Sequence, residues 1–171
     1  IYLGGSDRAF GGTGDDLFLM DGTEADVTAV IDGGSDATDG NAAGTENGNA
    51  GDVLDLGLET DNLTVTLGST PDSGTVNGLD GDAAIDLTFT EIERIVTGDG
   101  ADTIDGSAAT APLSAATGSG NDSLTGGAGA DSLDGGDGGL KIGLGLGQLG
   151  LLFGVVQTDQ HLTGLDPLVV A

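Results

Sequence analysis

Apolar residues recur along this chain in short alternating runs between clusters of glycine and aspartate, with no helical stripe before residue 140. Leu63, Val65 and Leu67 alternate with Asn62, Thr64 and Thr66, and Ile85, Leu87 and Phe89 follow the same rhythm. A period of two marks strands buried on one face. Turn chemistry at residues 69–74 (S-T-P-D-S-G) and 79–82 (L-D-G-D) separates these strands. Phe89, Ile92 and Ile95 then lead into Val96 and a further Gly/Asp turn. Residues 52–56 (D-V-L-D-L) spell a turn followed by a strand, whereas residues 29–51 form one long polar loop rich in Gly, Asn and Asp. The pattern predicts an all-β chain.

The polar clusters are repetitive. Residues 117–134 read T-G-S-G-N-D-S-L-T and then G-G-A-G-A-D-S-L-D, two nine-residue units end to end. Each has glycines first, an aspartate sixth (Asp122, Asp131) and a leucine eighth (Leu124, Leu133). Glycine lets the backbone turn tightly and aim carbonyls inward, and the aspartate adds a hard anionic oxygen. The leucine starts a strand and points into a core. A cation-binding turn followed by a strand is thus written twice. Residues 97–105 (T-G-D-G-A-D-T-I-D, with Asp102) and 11–19 (G-G-T-G-D-D-L-F-L, with Asp16) repeat the unit, and residues 4–7 look like a shortened turn. Leu17, Ile104, Leu124 and Leu133 are the expected core residues.

A nine-residue unit that turns once is half of a coil, so turns two units apart stack on one side. Residues 106–116 are an irregular step of 11 without aspartate, which sets Asp102 and Asp122 one circuit apart and facing each other. Residues 135–139 (G-G-D-G-G) come next on that side, with Asp137 as a substitute ligand and Leu140 where the aspartate belongs. Asp131 falls on the opposite side, over residues 106–112, which carry no acid. The expectation is one complete site and one half-site.

Composition agrees with ordered cation sites. The chain of 171 residues carries 35 glycines, 29 acids and 3 basic residues, for a net charge of −26. Such a surface repels nucleic acid and anionic membranes. The acids are spaced among Leu, Ile and Val rather than run together, unlike a disordered tail. Without cysteine there are no disulfides or thiolate sites, and a structural metal is the remaining staple for a small extracellular domain. No run of 18 apolar residues exists, so no membrane span is expected. Ile1 opens the chain without an initiator Met or signal peptide, as expected for a processed piece of a longer protein. Two carboxylates ~6 Å apart at an effective dielectric of ~20 repel by roughly 2.8 kcal/mol. A cation at ~100 times its dissociation constant adds about 2.7 kcal/mol instead. All-oxygen donors favour Ca²⁺ over zinc or copper, with an affinity on the order of 10⁻⁴ to 10⁻³ M.

These turns resemble the repeats-in-toxin (RTX, hemolysin-type) calcium-binding nonapeptide, G-G-x-G-x-D-x-(large apolar)-x. Residues 126–134 and 11–19 match it fully, while 97–105 and 117–125 lack only the first glycine. The resemblance implies a right-handed parallel β-roll, a β-helix-like solenoid holding several Ca²⁺ between stacked turns. It implies as ligands Asp16, Asp102, Asp122 and Asp131, with Gly98, Gly100, Gly118, Gly120, Gly126 and Ala128 near the ions; Asp99 and Asp137 are further candidates. It also implies export through type I secretion and folding on external calcium. The chain then divides into N-terminal roll-like turns (1–56), a strand-rich, repeat-poor middle (57–96), the RTX roll (97–139) and a Gly/Leu-rich cap, interface or tail (140–171).

Enzymatic alternatives are poor. G-L-G-Q-L-G at residues 145–150 is a formal dinucleotide fingerprint, but the chain ends five residues after Asp166, too soon for the rest of that fold. His161 is the one histidine, and no G-x-S-x-G elbow or P-loop is present. For the aspartates the plain alternative is a solvated acidic face or Asx-turns. Three functions remain: a non-catalytic, calcium-dependent β-roll of an extracellular bacterial protein; a subunit of a filament, surface layer or matrix, self-associating through solenoid ends or the Leu/Gly tail; or an accessory module of a secreted enzyme or adhesin.

Overall fold

A computed structural model describes residues 1–4, 6–20, 28–34, 51–70, 72–80, 84–138 and 141–143. The described chain is all-β, with no helix. One six-stranded sheet runs in the order β1 (Tyr2–Leu3), β3 (Leu17–Met20), β5 (Val53–Leu56), β9 (Arg94–Thr97), β11 (Ser114–Ala116) and β14 (Ser132–Asp134), and every neighbouring pair in it is parallel. A second, eight-stranded sheet runs β2 (Arg8–Gly12), β4 (Ala29–Gly34), β8 (Leu87–Thr90), β7 (Gly74–Asn77), β6 (Thr64–Leu67), β10 (Thr103–Asp105), β13 (Ser123–Thr125) and β16 (Lys141–Gly143). Short strands β12 (Ser119–Gly120) and β15 (Asp137–Gly138) pair in parallel between the sheets' turns. Outside the β6–β7–β8 excursion, the chain alternates between the two large sheets.

Strand alternation explains how both sheets share one core. Ile95 and Thr97 of β9, Ile104 of β10 and Leu124 of β13 all point inward, and the buried apolar residues of both sheets form one contiguous cluster. Leu54, Leu56, Phe18 and Met20 line it from one sheet; Val65, Leu87, Phe89 and Ile31 from the other. Burial of such side chains is worth roughly 1.5–3 kcal/mol each.

Several sequence expectations change here. Residues 29–34 are strand β4, so the long polar loop is shorter than the composition suggests; its remainder, residues 35–50, lies outside the described residues. Its strand reads V-I-D-G-G, and the glycines and aspartate masked the pairing with β2 and β8. A strand, β7, lies between the two turn signals at 69–74 and 79–82 and pairs antiparallel with β6 and β8. Phe18, not Leu17, enters the core: Leu17 is 44 % exposed and Phe18 0 %. One residue of register in a strand exchanges its two faces. Leu133 packs against the core while only partly buried. Of the tail at 140–171, residues 141–143 form β16 beside β13, and the rest, with the Gly/Leu fingerprint at 145–150, lies outside the described residues.

Candidate metal centre

Asp102 and Asp122 immediately precede strands β10 and β13, which pair in register, Ile104 beside Leu124. The Asp102 amide donates to Asp122 Oδ1 at 3.0 Å across 20 residues of sequence, and the Leu63 amide donates to Asp102 Oδ1 at 2.9 Å. Each carboxylate thus satisfies a backbone N–H in the layer beneath. Both residues are 1 % exposed, and the second oxygen of each, Oδ2, is buried without a hydrogen-bond partner. Buried carboxylate oxygens left in this way are costly unless something binds them.

The turns around them are built from backbone. The Gly118 amide donates to the Gly98 carbonyl at 3.1 Å, and the Asp137 amide to the Gly118 carbonyl at 3.0 Å. Gly100 has a φ of 136°, where a side chain is strained, and an added Cβ would lie 2.6 Å from the Asp61 carbonyl oxygen. At Gly120 an added Cβ would collide with the Gly100 carbonyl oxygen and meet Asp122 Oδ1 at 3.0 Å. Glycine therefore lets the carbonyl and carboxylate oxygens of stacked turns approach closely. Among the described residues no three acidic or histidine side chains converge, so an ion here would draw on two carboxylates and on turn oxygens. That all-oxygen donor set fits a hard cation such as Ca²⁺.

Electrostatics point the same way. Burial raises the pKa of Asp102 above its ordinary 3.8; the Thr97 hydroxyl and the Leu63 amide pull it down, and the carboxylates of Asp122 and Asp99 push it up. A carboxylate buried beside another carboxylate is a position that a cation would relieve.

Asp131 lies on the other sheet. Its Oδ1 accepts the Leu113 amide at 3.0 Å, 18 residues back, and the turn beneath is residues 106–112, as the repeat arithmetic expects. The Ala128 amide donates to the Ala109 carbonyl at 2.9 Å, and a Cβ on Gly126 would strike Asp131 Oδ2. Asp131 is half-buried and faces Leu113, not an acid. Asp16 belongs to this same side. Its amide donates to Asp52 Oδ1 at 2.6 Å, and the Asp52 amide donates to Glu93 Oε2 at 2.7 Å. A column of Asp16, Asp52, Glu93, Leu113 and Asp131 therefore precedes strands β3, β5, β9, β11 and β14.

Glu93 was missed by the repeat pattern because it stands outside any nonapeptide; the only signal was an acid directly before a strand, R-I-V-T. Glu59, 3 % exposed, was also missed; its carbonyl accepts the Asp99 amide at 3.0 Å from the turn beneath. Thr97 and Thr117 were passed over as defects of the motif, though both are buried. Asp99 and Asp137 are exposed; Asp99 Oδ1 accepts the Ser119 amide at 3.2 Å, and Asp137 pairs in register with Ser119. Asp99 acts on Asp102 through its charge, from an exposed position. Asp55, Asp105 and Asp134, each the last residue of its short strand or the one before it, accept the amide two residues on, as Asx-turns do. Compared with family models, with curated proteins and with solved structures, the chain matches none of them.

Proposed function

We propose that this chain is a non-catalytic, calcium-binding β-roll of an extracellular bacterial protein, held together by Ca²⁺ between stacked Gly/Asp turns. The observation that carries the reading is the pair of buried Oδ2 atoms on Asp102 and Asp122, one layer apart and without partners. The step of 20 between them and the step of 18 at Asp131 match a coil of two nine-residue units, with two extra residues in the irregular step. A net charge of −26 makes the folded chain self-repelling, and cations bound only to the folded form reverse that term. The chain would then reach its full stability only on meeting calcium outside the cell.

Far-ultraviolet circular dichroism during a CaCl₂ titration of the full chain tests this. The expected result is a gain of β signal and of melting temperature with calcium, reversed by chelator. Equal β content and equal melting temperature in excess chelator would sink the proposal.

A second reading, self-association into an extracellular assembly, draws on the sheet edges. Strands β1 and β2 end the two sheets among the described residues and expose Tyr2 (80 %) and Phe10 (64 %). Edge strands with apolar faces template pairing with another chain. Sedimentation in calcium that stays monomeric at high concentration would count against it.

A further inference from the structure

Thr97 and Thr117 occupy the first position of their repeats, where the motif of residues 126–134 has glycine. They hold equivalent places in successive layers: Val96 pairs with Ala116 just before them, and the Gly118 amide bonds the Gly98 carbonyl just after. In β9 the inward residues are Ile95 and Thr97, so the Thr97 side chain leaves the first sheet on the core side. Asp102 enters the second sheet on the core side five residues later. Each turn therefore carries a threonine at its start and an aspartate at its end, both facing inward.

Thr97 is 2 % exposed and Thr117 6 %, and neither hydroxyl oxygen has a hydrogen-bond partner. The Thr97 hydroxyl lies beside the Asp102 carboxylate without the geometry of a hydrogen bond. In the layer beneath, Leu56 pairs with Thr97 in register and the Leu63 amide bonds Asp102, while the turn between them carries the buried Glu59. Both leucines are buried. Four oxygens without partners, two Oγ1 and two Oδ2, thus sit on two successive turns. A buried polar atom without a partner is rare, and four together call for a common one. Ca²⁺ takes roughly 6–8 oxygen ligands, more than two carboxylates provide. A threonine hydroxyl has two lone pairs and a hydrogen that can rotate away, and its β-branch restricts where the oxygen points.

We infer that the Thr97 and Thr117 hydroxyls are neutral oxygen ligands of the cation held between Asp102 and Asp122, making this layer pair a distinct, hydroxyl-completed Ca²⁺ site. The inference rests on the calcium reading above. It distinguishes this site from the turn at residues 126–131, whose first residue is glycine.

The test compares Thr97→Val/Thr117→Val with Thr97→Ser/Thr117→Ser in the full chain. Calcium midpoints are measured by calorimetric titration with CaCl₂, and melting temperatures in chelator. The valine pair is expected to weaken calcium binding at the tightest site by about tenfold or more, as for loss of a metal's supporting groups. The serine pair should stay within about twofold of the parent. In chelator the valine pair should melt no lower than the parent, because a buried hydroxyl without a partner has been removed. A merely structural threonine would instead lower the chelator melting temperature and leave calcium affinity in the folded state alone; that result overturns the inference. Unchanged calcium midpoints in the valine pair overturn it too, while leaving the calcium reading intact. A parent chain with no calcium response overturns both. Should the valine pair not fold in chelator, Thr117→Val against Thr117→Ser gives the same comparison at one layer.

Discussion

The amide of Asp102 donates to Oδ1 of Asp122 at 3.0 Å, tying two turns together through a carboxylate whose other oxygen is buried without a partner. One aspartate thus has two roles, a structural acceptor for the layer beneath and a free oxygen at the layer boundary. The roles separate by substitution. Asp122→Ala leaves the buried Asp102 amide without an acceptor and should cost about 1–3 kcal/mol even in chelator. Asp131→Ala, at a half-buried position, should cost less than about 1.5 kcal/mol. Urea unfolding of both variants checks the order, and equal losses would contradict the layering.

The acidic column on the other side makes a matching statement. Asp52 is 1 % exposed and accepts the Asp16 amide at 2.6 Å. Asp52→Ala should therefore destabilise the chain by about 1–3 kcal/mol. Asp99→Ala, which removes an exposed acceptor 3.2 Å from Ser119, should change stability by less than about 0.5 kcal/mol. Chemical denaturation distinguishes them; equal effects would mean the column has no special weight.

Two glycines separate backbone strain from close approach. Gly14 has a φ of 94° with open space around its Cα, whereas Gly100 has a φ of 136° and the Asp61 carbonyl 2.6 Å from an added Cβ. Gly14→Ala should cost roughly 1–2 kcal/mol, the left-handed penalty alone. Gly100→Ala should cost more and should also weaken the calcium response. Thermal melts with and without CaCl₂ measure both, and the reverse order would show that the turn at Gly100 is not tightly packed.

Protonation should act at Asp102. Burial first, and the Asp122 and Asp99 carboxylates after it, raise its folded pKa above 3.8, despite the Thr97 hydroxyl and the Leu63 amide. Between 3.8 and that raised value the folded chain holds a proton the unfolded chain has released, so this group's contribution to stability is lost as pH rises through the window. Asp102→Asn mimics the protonated form. In chelator it should melt above the parent at neutral pH, with the advantage vanishing as pH falls below 3.8, and it should respond less to calcium. Asp105 runs the other way: its pKa is lowered by the Ser107 hydroxyl and amide, so its stabilising contribution is lost only below 3.8. An Asp102→Asn variant less stable than the parent in chelator at neutral pH would contradict the assignment.

Much of this was legible from residue order. The pairing of Asp102 with Asp122 followed from the two extra residues in the step 106–116, and the position of Asp131 over an acid-free layer followed from the same count. Period-two alternation located β6, β8 and the buried Leu63, Val65 and Leu67. The β4 strand was not legible, because its polar and glycine residues pair between β2 and β8 and gain their order only from those neighbours. Nor was the exchange of Leu17 for Phe18 in the core, since four consecutive apolar residues (L-F-L-M) carry no period.

By itself the sequence determined the local chemistry: where the backbone turns, which oxygens are hard donors, which residues begin strands, and how many residues separate a turn from the one it is registered with. Those properties depend on neighbours a few residues apart. Only the tertiary structure decided which turns meet. Asp16, Asp52 and Glu93 are separated by 36 and 41 residues with irregular segments between, yet they line up because parallel strands register them. Tertiary structure also decided that Thr97 and Thr117 are buried, Thr97 beside Asp102. A residue's place in a motif says nothing about whether its hydroxyl meets water; burial, set by packing, is what takes those two hydroxyls and the two Oδ2 atoms out of water.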